Sequence, residues 1–193
     1  MEQNTLYPIF LKLDQITTLI IGGGKAASEK LTFMLKNSPN ANVRLVSPVL
    51  NKGIEELVAN RPDIELIRDE YQTTHLNGVG LVIAATDSRE VNHRIYTEAK
   101  AHNILVNTAD TPELCQFYLG GIVTKGNLKI GISTNGKAPV LAKRLREFFE
   151  QSLPDSLNDL ISNLDHIRKK LHPDLATRTA ALNSLTKDLA KQP

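Results

Sequence analysis

Residues 17–27 read Thr17-Thr18-Leu19-Ile20-Ile21-Gly22-Gly23-Gly24-Lys25-Ala26-Ala27. A short β-branched and aliphatic run passes straight into three glycines, and a helical pattern follows from Ala26 to about Lys36. Gly22, Gly24 and Ala27 fill the three positions of G-x-G-x-x-A. The first glycine permits a tight turn out of a strand, and the second lets backbone approach a pyrophosphate. The small third residue allows close packing of helix on strand. A helix starting there presents unpaired N–H groups and the positive end of its dipole to phosphate. A strand-to-helix turn that binds nothing has the same local pattern, so the reading depends on its surroundings.

Those surroundings repeat the unit. Working outward, Tyr7–Leu13 is an extended lead-in and Asp14-Gln15 a turn before a strand over Thr17–Ile21. Asn37-Ser38-Pro39-Asn40 ends the first helix, and Val43–Val46 is the second strand. The pattern then predicts a helix over Ile54–Ala59, a strand over Ile64–Ile67 and a helical turn at Thr74–Leu76. Gly80–Ala85 is almost wholly apolar, as expected of a strand covered on both faces. A helix over Glu90–His102 and a strand over Ile104–Asn107 follow, and Pro112 stops the alternation. Beyond it, Phe117–Lys125 and Leu128–Ser133 read as strands joined across Gly126-Asn127. Pro139 suits the first position of a helix over Val140–Gln151. After a break at Pro154-Asp155, Leu160, Ile161, Leu164 and Ile167 line one face of another helix. His172-Pro173 interrupts it, and a last helix is expected over Leu175–Ala190.

The expected fold is therefore α/β: a Rossmann-type parallel sheet, a small hairpin segment, then a C-terminal helical domain. The corresponding divisions are residues 1–111, 112–152 and 153–193.

Composition narrows the function. A chain of 193 residues with net charge +2 is ordinary for a globular protein. No run approaches the roughly 20 apolar residues of a membrane helix. Met1-Glu2-Gln3-Asn4 lacks the basic and apolar regions of a signal peptide. The lone Cys115 rules out an internal disulfide, and the chain is expected in the cytoplasm. The five histidines, His75, His93, His102, His166 and His172, show no ligand spacing, so no protein-held metal is expected. Lys125, Lys129, Lys137, Lys143, Arg144 and Arg146 cluster, yet nucleic-acid binding demands a more basic domain. An acidic small substrate is the more economical partner, and neither nucleic acid nor membrane is expected. The Tyr96-x-x-x-Lys100 spacing lies on the wrong helix for short-chain dehydrogenase chemistry, and is read as a core-edge aromatic beside a surface charge.

The ends of the strands carry the polar candidates. A carboxylate normally grips the adenosine ribose at the end of the second strand; Ser47 stands there, which leaves NAD against NADP open. Thr86-Asp87 follows the fourth strand, where ligands of open α/β sheets gather. Asp87 also suits an N-cap, and the two uses are compatible.

Taken together the chain resembles the precorrin-2 dehydrogenase family, including the N-terminal module of bifunctional siroheme synthases. The likeness rests on Pro8-Ile9-Phe10 with Leu13, on Ile21–Ala27 with Lys30, and on Ala84-Ala85-Thr86-Asp87 with Val91-Asn92. It rests most specifically on Ile132–Ala142, with the Asn107–Asp110 segment in support. The resemblance implies an NAD-dependent oxidation of precorrin-2 to sirohydrochlorin, in a homodimer paired through the hairpin segment. Some members of that family also insert iron, and the chain is too short for the methyltransferase module of the bifunctional enzymes. Two rivals stay open: an NAD-binding regulatory module without chemistry, and a stand-alone sirohydrochlorin chelatase.

On this reading Gly22, Gly23, Gly24, Lys25 and Ala26 border the pyrophosphate. The resemblance adds Ser47, Val49 and Leu50 around the adenosine and Thr86 and Asp87 toward the nicotinamide. Asp110 is the expected proton acceptor, where the family pattern has its catalytic aspartate; a turn-forming aspartate before Thr111-Pro112 is the alternative. Asn107, Ser133, Thr134, Asn135 and Lys137 are expected on the substrate side, the last four in a polar loop suited to an anion. Arg144 and Arg146 are expected to pair with Glu147 or Glu150, and Glu29 and Lys30 to be surface or sheet-edge groups.

Overall fold

A computed structural model describes residues 3–171 and 174–187. The expected interruption at His172-Pro173 and residues 188–190 of the expected last helix lie outside them. The chain divides into two compact units. The first holds the residues up to Gly120 with Ser133–Ala138, and the second Gly121–Ile132 with the residues from Pro139 onward.

The first unit is built on strands β1 (Thr18–Ile21), β2 (Val43–Val46), β3 (Glu65–Ile67), β4 (Leu81–Ala84) and β5 (Leu105–Thr108). They form one parallel sheet in the order β3-β2-β1-β4-β5. Helices α1 (Lys25–Asn37), α2 (Lys52–Ala59) and α3 (Arg89–Ala101) alternate with them. Strand periodicity sorts the core into two layers, because successive side chains leave a strand on opposite faces. Ile20, Val43, Leu45 and Ile83 pack with Ala27, Leu31 and Ile54. Leu19, Ile21, Val46, Val82 and Val106 pack with Ile95 and Ala99. Central strands buried on both faces account for the continuous apolar runs.

At one end of α3 a polar cluster replaces apolar packing. Buried Tyr71 donates its hydroxyl to Glu98 Oε2 at 2.8 Å, and Thr73 Oγ1 donates to the same oxygen at 2.8 Å. Arg94 Nε donates to Glu98 Oε1 at 3.0 Å while its guanidinium lies 5.0 Å from the Tyr71 ring centre. Burial pushes the Tyr71 hydroxyl well above its ordinary range, so it stays protonated and donating. Burial alone would raise the Glu98 carboxyl; the bonds from Tyr71, Thr73 and Arg94 outweigh it, and its pKa lies below the usual carboxylate value. Tyr96 packs against the α3 core layer with Lys100 Nζ 5.6 Å above its ring, a structural pair.

The second unit contains an antiparallel hairpin, β6 (Gly121–Lys125) and β7 (Leu128–Ile132), with helices α4 (Pro139–Ser152), α5 (Leu157–Lys170) and α6 (Leu175–Thr186). Asn158 Oδ1 accepts from the Asn127 N–H and Nδ2 at the hairpin turn. The expected sixth strand is shorter than its apolar pattern, starting at Gly121 in place of Phe117. Phe117 and Leu119 are drawn onto the first unit's core, and the Phe117 carbonyl accepts a side-chain hydrogen bond at 2.8 Å, which removes both from a ladder. Pro112, expected only to stop the alternation, opens a short 3-10 turn (Pro112–Leu114). On α4, Arg144 pairs with Glu147 at 2.9 Å and Arg146 with Glu150 at 2.6 Å. No described helix is long and apolar enough to cross a membrane.

Candidate functional site

The strand order reverses between β1 and β4, and the carboxyl ends of those strands open a crevice where α/β sheets take ligands. The glycine turn sits there. Gly22 has φ +125°, and a Cβ on it would run into the Ala85 carbonyl. Its N–H donates to the Val46 carbonyl at 2.9 Å, and Ala85 N–H donates to the Ile21 carbonyl at 2.8 Å. A Cβ on Gly23 would overlap the Val49 carbonyl, and the Gly23 carbonyl accepts from Asn51 N–H at 2.8 Å. Gly22 and Gly23 therefore let the loops after β2 and β4 close upon the turn.

Gly24 is different. Only Asp87 Oδ1, 3.9 Å away, approaches the position its Cβ would take. Gly24 is also the N-cap of α1 and supplies no side-chain acceptor. By contrast, Asn51 Oδ1 caps α2 at Ile54 N–H (2.9 Å), and Ser88 Oγ caps α3 at Val91 N–H (3.2 Å). The first-turn N–H groups of α1 are thus left for an external acceptor, and an open backbone approach leads to them. That combination fits the pyrophosphate of a dinucleotide. Lys25 is exposed, with Nζ 3.9 Å from Glu29, so at this position its backbone N–H is the useful group. Ala26 rests against the sheet core and Ala27 is fully buried, as close helix–strand packing requires.

Three residues after β2 behave differently from one another. Ser47 is 6% exposed, and its hydroxyl donates to the Val49 carbonyl at 2.7 Å. Leu50 is 9% exposed and belongs to the core. Val49 is 73% exposed and presents its side chain to solvent. After β4, buried Asn92 clamps Thr86 on three atoms. Asn92 Oδ1 accepts from the Thr86 hydroxyl (2.7 Å) and N–H (3.2 Å), and Asn92 Nδ2 donates to the Thr86 carbonyl (3.0 Å). Asp87 follows this clamp and is exposed; Ser88, not Asp87, caps α3.

The end of β5 is joined to the same edge by Ala109 N–H, which donates to the Ala84 carbonyl at 2.8 Å. Asp110 is the next residue, exposed and with φ +55° in a turn closed by Thr111 N–H on the Thr108 carbonyl at 3.4 Å. Left-handed backbone is uncommon for a non-glycine residue, although aspartate tolerates it better than most. Cys115 holds the turn from inside. Its Sγ accepts from Thr108 N–H at 3.3 Å, and its S–H lies 3.2 Å from the Thr108 carbonyl and 3.3 Å from that of Thr111. Burial pushes the Cys115 thiol up, so it remains a neutral donor. Asn107 is buried, and its Nδ2 donates to the Phe117 carbonyl at 2.8 Å.

The Ser133–Ala138 loop is closed mainly upon itself. Ser133 Oγ accepts from Asn135 N–H (3.2 Å), and Thr134 Oγ1 accepts from Ala138 N–H (3.2 Å). Asn135 and Gly136 have φ +54° and +74°, and Lys137 N–H donates to the Thr134 carbonyl at 3.0 Å. Asn4 Nδ2 donates to the Ser133 carbonyl at 3.4 Å.

The structure thus gathers the glycine turn, Ser47–Asn51, Thr86-Asp87 and the Asp110 turn at one sheet edge. Sequence reasoning missed Cys115, the packing duty of Gly23 and the clamp by Asn92. Asn92 was visible only as part of a motif, since a polar residue on an amphipathic helix reads as solvated until its burial is known. Among the described residues no group of three or more His, Cys, Asp or Glu side chains is arranged to hold a metal.

Comparison with known proteins agrees with this architecture. Residues 9–121 match a family described as NAD(P)-binding, and residues 125–152 match the central segment of sirohaem biosynthesis proteins. The siroheme synthase of Pseudoalteromonas translucida is 39% identical over 164 residues, covering 85% of this chain and 34% of that protein. That of Psychrobacter arcticus is 36% identical over 173 residues, covering 90% and 31%. The chain spans about a third of the length of these curated relatives. A solved structure titled SirC, precorrin-2 dehydrogenase, has the same fold, with a TM-score of 0.72 at 23% identity over 93% of this chain and 89% of that one. The chain belongs, through residues 9–121, to this NAD(P)-binding family, joined over residues 125–152 to the central segment of sirohaem biosynthesis proteins.

Proposed function

We propose that this protein oxidises precorrin-2 to sirohydrochlorin with NAD, in the cytoplasm, as a step toward siroheme. The observation that carries the reading is the uncapped start of α1 behind an open Gly24, on the sheet edge that also carries Asp110. Bound NAD supplies a hydride acceptor. The chain's own part is to hold the dinucleotide, exclude water and take a proton. Backbone of Gly22, Gly23, Gly24, Lys25 and Ala26 receives the pyrophosphate. Val49 covers the adenosine while Ser47 and Leu50 fix the loop beneath it, and Thr86 and Asp87 border the nicotinamide half. Asp110 accepts the proton that leaves the macrocycle as its carbon–hydrogen bond gives up the hydride, and passes it to water. Asn107, through the segment it anchors, and Ser133, Thr134, Asn135 and Lys137 form the substrate side.

The division of labour follows the chain: residues 1–111 bind the dinucleotide, 112–152 pair subunits and touch substrate, and 153–193 complete the helical domain. Exposed Val140, Leu141, Leu145 and Phe148 on α4 support a homodimer built on the second unit, since apolar clusters of this kind mark association surfaces. Anaerobic incubation with precorrin-2 and NAD tests the function. One NADH per sirohydrochlorin is expected. NAD binding without turnover would make the protein a sensor, and metal insertion without NADH would make it a chelatase.

A further inference from the structure

We propose that Lys30 binds a carboxylate of the substrate beside Asp110; the inference rests on the reading of this edge as the oxidation site. Lys30 was expected to be a surface or sheet-edge group, yet it is half-buried on α1, and it makes no hydrogen bond or ion pair with any described residue. Its flank of the helix faces the segment that follows β5. Ala26, one turn before Lys30, shares the core layer with Ala109 and Phe117. The ammonium acts electrostatically on the Cys115 thiol, which itself bonds the carbonyls on either side of Asp110.

Helical side chains lean toward the helix N-terminus. The N-terminus of α1 is the glycine turn at the carboxyl edge of the sheet, so Lys30 leans toward the crevice and away from the sheet's far end. A half-buried lysine keeps its apolar stem against the protein and its charged head in water, which here puts the head at the crevice rim. A half-buried ammonium without a protein partner favours an anion, and the polycarboxylate periphery of a tetrapyrrole supplies one next to the proton acceptor. The pyrophosphate is the competing anion at this edge. It is already served by the α1 backbone, whereas a substrate carboxylate at the rim has no other cation from this helix except exposed Lys25.

Lys30→Met keeps the stem and removes the charge, and Lys30→Arg restores the charge. Three quantities are measured on each folded variant: NAD affinity by protein-fluorescence titration, affinity for uroporphyrin III as a stable polycarboxylate probe, and steady-state kinetics with precorrin-2. For Lys30→Met, a loss of about tenfold or more in probe affinity and a matching rise in KM are expected, as for one charge-assisted hydrogen bond. NAD affinity is expected to stay within about twofold, and Lys30→Arg to recover most of the loss. Unchanged probe affinity overturns the proposal, and so does a loss confined to NAD, which would assign Lys30 to the pyrophosphate. If wild-type protein makes no NADH yet Lys30→Met still loses the probe, the oxidation reading fails while the carboxylate contact stands.

Discussion

Gly23 and Val49 meet so closely that a Cβ on Gly23 would overlap the Val49 carbonyl, whereas Gly24, the next residue, faces open space. Two adjacent glycines therefore have separate duties, and substitution separates them. Gly23→Ala must displace backbone, with an expected cost at the upper end of the about 1–3 kcal/mol of overpacked sites. Gly24→Val should melt within a few degrees of wild type and lose NAD binding, because its side chain enters the approach to α1. Thermal melting and NAD titration of the two variants check this contrast. Equal stability losses would mean that Gly24 is also a packing residue.

Asn92→Ala takes the side-chain partner from the Thr86 N–H and carbonyl, while the Thr86 hydroxyl keeps its bonds with Ser88. An unsatisfied buried polar group costs about 1–3 kcal/mol, and the loop carrying Asp87 loses its anchor. The melting temperature should fall by several degrees and NAD affinity should weaken with it. Denaturant unfolding and titration measure the two effects.

Cys115 should react slowly with iodoacetamide in the native state. Burial holds the thiol above its ordinary pKa, so the thiolate fraction at neutral pH is small and grows as pH rises. Cys115→Ala removes the bonds that hold the Asp110 turn, while Cys115→Ser keeps a donor and acceptor there. Turnover should fall more for alanine than for serine at similar NAD affinity. Equal turnover in both would detach Cys115 from the site.

Glu98 gives a pH dependence of definite sign. Its folded pKa lies below that of an unfolded glutamate, about 4.3. Its stabilising contribution is therefore complete above that value and is lost as pH falls through the lower folded value. Glu98→Gln should flatten the acid limb of a melting-temperature profile and change little of its shape between pH 6 and 8 (on the order of neutrality). An unchanged acid limb would show that the Tyr71–Glu98 bond contributes nothing there.

The sheet was legible because its signals are local. Apolar runs such as Leu81–Ala84 and the glycine turn report strand, turn and helix without help from distant residues. The helix starts were legible to within a few residues for the same reason. What escaped reading depends on contacts across the chain. Phe117 carries a strand pattern, but the core and Asn107 claim it, so β6 begins four residues later. Ser47 marks the ribose position in sequence, and only the fold shows its hydroxyl turned to Val49. Lys30 looks like any helical lysine until the segment after β5 is placed against its flank. Asp110 was singled out by its position at the end of β5, but its left-handed backbone and the thiol beneath it have no trace in the sequence.

The central claim is that one edge of the sheet binds a dinucleotide and presents Asp110 to the substrate. It is tested most directly with Asp110→Asn, measuring NAD affinity and anaerobic NADH formation from precorrin-2 on the same preparation. NAD affinity should match wild type, and turnover should fall by about 10²–10⁴, the range for a lost general base. Wild-type turnover in that variant would contradict the account.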